Sequence, residues 1–130
     1  MAAKNLWGDL NDLSNLRTPH EILKEQGDLL GEMTNGLLEV KIERKQSHTV
    51  FGYDVYIALP AMKYKERLLR MSHDIKLYPV ILHDAQESKQ TNSETPEEFE
   101  ENLGNILSSP ETMTLIRGLM IQARAEESLD

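Results

Sequence analysis

The sequence predicts an α+β fold: a four-stranded antiparallel meander with helices packed on one face, in the order α-β-β-β-β-α-α. Two observations carry the prediction. The hydrophobic period switches from helical to alternating at Asn35-Gly36, and returns to helical after a polar stretch at 86–94. Charge is sorted into the same blocks. Residues 1–40 hold three Lys/Arg against seven acids, residues 41–76 eight against four, and residues 77–130 three against eleven. The basic block is the one that reads as strand. Either a basic sheet complements acidic helices within one fold, or the sheet offers a local anion-attracting surface on an acidic protein of net charge −8.

A chain of 130 residues predicts one domain, here residues 18–130 preceded by an arm or short helix at 1–17. That length buries a core without crosslinks or metals. Cysteine is absent, which excludes disulfides and thiolate metal sites and fits a reducing compartment. The opening MAAKNLWGDL has no apolar h-region behind a positive n-region, and no apolar run approaches the roughly 20 residues a membrane helix needs. The expectation is a soluble, cytoplasmic protein with no membrane partner. Net acidity argues against broad nucleic-acid binding, which needs excess Lys/Arg to neutralise phosphates.

In the arm, Leu6, Leu10, Leu13 and Leu16 recur at helical spacing, weakened by Gly8 and three Asn. Thr18-Pro19-His20-Glu21 is a capping box with Pro at the first helical position. It opens a helix carrying Ile22, Leu23, Leu29, Leu30 and Met33 on one side and ending near Thr34-Asn35-Gly36. Gly27 and Gly31 within it invite close packing on the sheet. Leu38, Val40 and Ile42 then alternate with Glu39, Lys41 and Glu43. After a turn at 46–49, Phe51, Tyr53, Val55, Ile57 and Leu59 form one apolar face. Residues 64–74 fit both periods. They are assigned as strand because 75–82 supplies a return partner, with Pro79 at its start or edge. Residues 86–94 (QESKQTNSE) contain no apolar residue and read as a mobile linker. A second capping box, Thr95-Pro96-Glu97-Glu98, opens a helix with Phe99, Leu103, Ile106 and Leu107. Ser109-Pro110-Glu111 starts a last helix, apolar around most of its circumference. Such a helix is central to the core or half of an oligomer contact.

Chemistry-bearing residues are sparse. Two His-Asp pairs, His73-Asp74 (after Ser72) and His83-Asp84, are the candidates for metal-assisted hydrolysis. Adjacent strand residues face opposite ways, however, so neither pair aims at one ion from a regular strand. The acids at 97, 98, 100 and 101 are ordinary for a helix N-terminus. No nucleotide-binding or serine-hydrolase motif occurs, and no metal site or cofactor is expected. Lys63, Lys65, Arg67 and nearby Arg70 are the anion-binding candidates. Aromatic-plus-basic sheet faces bind single strands, but Tyr53 shares the core face and no RNP-like run is present. Basic residues also guard sheets against edge pairing.

The leading expectation is a non-enzymatic protein-interaction or assembly module whose partner is another protein or a second copy. Trp7, Met113, Ile116, Leu119 and Met120 are its contact candidates. An acidic protein of this kind also suits docking onto a basic partner. The alternatives are an anion binder using the basic strand and a hydrolase built on the His-Asp pairs.

Overall fold

A computed structural model describes residues 3–9, 17–85 and 88–127. It has three helices, α1 (Pro19–Met33), α2 (Pro96–Leu107) and α3 (Pro110–Glu127). Five strands complete it: β1 (Glu39–Ser47), β2 (Val50–Leu59), β3 (Tyr64–Asp74), β4 (Val80–Asp84) and β5 (Lys89–Ser93). They form one antiparallel sheet in chain order. The α+β class and the antiparallel meander are those the sequence predicts; the strand count is five instead of four.

The additional strand lies inside the segment read as a linker. Lys89–Ser93 pairs along β4 from Asp84↔Lys89 to Val80↔Ser93. An edge strand draws its stability from backbone pairing, so an apolar face is not required of it. Its one anchored side chain is the fully buried Ser93, whose Oγ accepts from Asn102 Nδ2 of α2 at 2.9 Å. Part of the expected return strand is also reassigned. Residues 75–79 form the β3–β4 connection, with Lys76 N donating to Asp74 Oδ1 at 2.8 Å and Leu77 at φ +79°. Pairing resumes at Val80, immediately after Pro79.

The helix ends follow the capping chemistry. Thr18 Oγ1 accepts from Glu21 N at 3.1 Å while Glu21 Oε1 accepts from Thr18 N at 3.5 Å, completing the box. At α2, Thr95 Oγ1 accepts from Glu98 N at 3.1 Å, but the Glu98 carboxylate turns to Glu94 N instead. Helix α1 closes through Asn35 (φ +52°) and Gly36 (φ +79°), with Gly36 N donating to Gly31 O at 2.8 Å. Thr34 seals this corner: its Oγ1 donates to Leu30 O at 2.9 Å and accepts from Leu38 N at 3.2 Å.

The core lies between the helices and one sheet face. Tyr53, Val55, Ile57 and Leu59 of β2, Leu69 and Met71 of β3, and Val80 and Leu82 of β4 meet Ile22, Leu23, Phe99, Leu103, Leu119 and Ala123. Helix α1 lies against β1, and α2 against β4 and β5. Gly27 permits the first contact, since a Cβ there would sit 2.9 Å from the Val40 Cβ; at Gly31 the nearest atom would be 4.0 Å away. In the arm, the described residues 3–9 are not helical, while Leu10, Leu13 and Leu16 lie outside the described residues. No helix among the described residues is long and apolar enough to cross a membrane.

Candidate functional site

Two surfaces stand out, one on each side of the sheet. On the helical side, α1 and the α2–α3 pair leave a groove of about 570 Å³ between them. Its floor is the sheet itself, at Val40, Val55 and Leu68. Leu29, Leu30 and Met33 form one wall; Leu107, Met113 and Ile116 contribute to the other. Leu29 is 47% exposed and Met33 77%, large apolar side chains left to solvent beside a depression. The charged residues lining it are Glu100 and Glu101. Around it, α1 carries Glu21, Glu25, Asp28 and Glu32 against Lys24 alone, and α2 carries four Glu with no basic residue.

The contact candidates separate across this region. Met113 and Ile116 line the groove. Leu119 is only 7% exposed and belongs to the core, with Met120 half-buried against it. The apolar circumference of α3 thus divides: Leu119 and Ala123 point inward, while Ile121 is largely exposed. Trp7 is 84% exposed, its backbone N–H bonded to Asn5 Oδ1.

The His-Asp pairs do not converge. His73 is buried on the core face, its ring stacked between Phe51 (5.6 Å) and Tyr53 (5.8 Å), with Nδ1 2.7 Å from Asp74 O. His20 stacks on Tyr53 at 5.1 Å, extending the column. His83 sits opposite Arg70 on the outer face and is exposed, whereas Asp84, opposite Leu69, is buried. The strand alternation that resisted a shared site in the sequence holds in the fold. Among the described residues, no three His, Cys, Asp or Glu side chains are grouped to hold a metal.

The outer sheet face carries the basic block. Lys65, Arg67 and Arg70 are separated by two and three residues, a spacing that splits them across a regular strand. A β-bulge reunites them. Val55 pairs with Leu69 and the next residue, Tyr56, with Arg67, so Leu68 is an extra residue and both leucines are buried. Lys63 lies off the strand, in a left-handed turn (φ +53°) after the 3-10 turn Pro60–Met62. Lys65 is held by Glu43 at 3.1 Å and lies 4.3 Å from the Tyr56 ring centroid.

At the centre of this face, Asp54 is 2% exposed. Arg70 Nε donates to its Oδ1 at 2.8 Å, and Lys45 Nζ lies 2.8 Å from Oδ2. Burial pushes the Asp54 carboxyl up, but the Lys45 and Arg70 contacts outweigh it and leave the group below the ordinary carboxylate range. The same partnership raises Lys45 and Arg70. Beside it, Arg67, Arg70, His83 and Ser88 line a cleft of about 240 Å³.

Sequence reasoning missed His83 as a neighbour of the arginines and Asp54 as the anchor of Arg70. The available signal was the Leu68-Leu69 doublet, two successive leucines that break the strand's alternation as a bulge does. Comparison of the chain with protein-family models, with curated proteins and with solved structures gave no significant match.

Proposed function

We propose that the protein is a non-enzymatic binding module that seats an amphipathic, basic-flanked segment of a partner protein in the groove between α1 and α2–α3. One observation carries this reading: an apolar depression floored by the sheet, with only acids among the charged residues lining it. Apolar side chains of an incoming segment gain burial there, and Lys or Arg beside them meet Glu101, with Glu100 already paired to Arg17 at 3.4 Å. The same acidity disfavours a second copy as occupant, because the surfaces flanking the groove, on α1 and α2, would repel their own kind.

The test uses two designed helical peptides with one leucine face, flanked in one case by lysine and in the other by glutamate. Fluorescence anisotropy should show binding of the lysine peptide, weakened by salt, and none of the glutamate peptide. Met33→Lys, at a solvent-open position on the rim, should weaken it by about tenfold. Ile121→Lys, outside the groove, should leave it unchanged. Equal binding by the Met33→Lys protein would defeat the proposal. Light scattering that showed a dimer abolished by Met33→Lys would make a second copy the occupant and defeat it equally.

A further inference from the structure

We infer that the cleft at the β3–β4 end of the outer face is a site for a single phosphate monoester group, with Arg67 as its principal ligand and Arg70 and His83 beside it.

The inference starts from which cations on this face are already engaged. Lys45 and Arg70 share Asp54, and Lys65 pairs with Glu43. Lys41 lies on β1, two strands away from the cleft. Arg67 is exposed and has no hydrogen-bond or ion-pair partner among the described residues. Among the described residues its guanidinium is thus unpaired, on a solvent-open sheet beside a second guanidinium that Asp54 fixes through Nε alone. That bond orients Arg70 while leaving its two terminal nitrogens as donors. His83 lies directly across from Arg70 in the β3–β4 register. Ser88, at φ +55° in the β4–β5 turn, closes the cleft with a hydroxyl. Asp84 also lines the cleft, but it is buried and sits opposite the core residue Leu69 in the β3–β4 register.

The chemistry selects the ligand. Paired guanidiniums match the oxygens of a tetrahedral dianion, which accepts several charge-assisted hydrogen bonds at once. A volume of about 240 Å³ suits one such group. The face is poorly built for a nucleic-acid track. Tyr53 points into the core, and Tyr56, the aromatic on the outer side of β2, already has Lys65 over its ring. The groove on the helical side is a separate surface, so this site stands or falls independently of it.

The probes are inorganic phosphate, O-phosphoserine, a phosphoserine peptide and a single-stranded oligonucleotide, each followed by amide chemical shifts in the native protein. Phosphate and phosphoserine should shift Arg67, Arg70, His83 and Ser88. The peptide binding more tightly than free phosphoserine would identify a phosphorylated protein as the source; equal affinities would identify a small phosphate ester. Arg67→Ala should weaken all three by roughly tenfold to a hundredfold. Because Arg67 holds no described partner, its removal should leave the melting temperature unchanged, which separates loss of binding from loss of fold. Binding untouched by Arg67→Ala would overturn the proposal, as would the absence of any shift with phosphate. An oligonucleotide binding with a salt slope of several phosphates would overturn it by making the whole face a nucleic-acid surface.

Discussion

Strand β2 shows both faces of the molecule along ten residues. Its inner side chains, Tyr53, Val55, Ile57 and Leu59, are buried against helices; its outer row includes Gly52, Asp54, Tyr56 and Ala58. The inner face is held by removal of apolar area from water, about 25 cal/mol per Å², which is non-directional and indifferent to pH. The outer face is organised by one buried carboxylate with two cations, so it responds to protons and salt. The contrast shows where sequence change is tolerated: the inner face rejects loss of volume, while the outer face depends on charge at a few positions.

The largest expected effect therefore falls on the inner face. Phe99 is fully buried in α2, with Tyr78 edge-on at 6.5 Å. Phe99→Ala should cost about 3–5 kcal/mol, measured by urea unfolding, and leave stability equally reduced at low and high salt. A loss below about 1 kcal/mol would mean that α2 collapses onto the gap and that the inner face is less close-packed than described.

A smaller effect tests the helix–sheet approach. Gly27→Ala gains up to about 1 kcal/mol of helix propensity, but its Cβ would meet Val40 Cβ at 2.9 Å. Overpacking of this kind costs about 1–3 kcal/mol, so the net change should be destabilising. Val40→Gly removes the Val40 Cβ that obstructs, and in that background Gly27→Ala should stabilise. Gly31→Ala, with 4.0 Å of clearance, should stabilise outright. If Gly27→Ala stabilises the parent protein, α1 rides further from β1 than these distances state.

These contrasts also explain what the sequence disclosed. Helices α1 and α2 were legible because Thr18-Pro19 and Thr95-Pro96 place a side-chain acceptor and a preset φ at their first turns. The hairpin of β1 and β2 was legible because one of its faces is buried, which imposes strict alternation. Strand β5 was illegible for the opposite reason: KQTNS is stabilised by pairing with β4, and backbone pairing leaves no hydrophobic signature. The groove was illegible because it is a gap between elements distant in sequence. The basic cluster was half legible. Its residues were named, but their common face depends on the bulge at Leu68 and their order on Asp54, which reads in the sequence as one more polar residue of an alternating strand.

Asp54 supplies the most delicate test of the outer face. Asp54→Asn keeps the shape and an acceptor for Arg70 but removes the charge. The side chains of Lys45 and Arg70 are 64% and 51% exposed, so water screens the pair and hydrates what is left behind. The cost at neutral pH should be about 1 kcal/mol, well below that of a buried pair sealed from solvent. The pH dependence gives the sharper signature. The folded carboxyl lies below its ordinary value of 3.8, so its stabilising contribution is complete above that pH and is lost as pH falls through the depressed folded value. Wild-type stability should thus decline more steeply than that of Asp54→Asn in acid, and the two curves should converge at the lowest pH. Parallel curves would show that the Asp54 charge contributes nothing and that the outer face is held by backbone pairing alone. Convergence with a gap that shrinks in high salt would mark the outer face as electrostatically organised, in contrast to the salt-indifferent inner face.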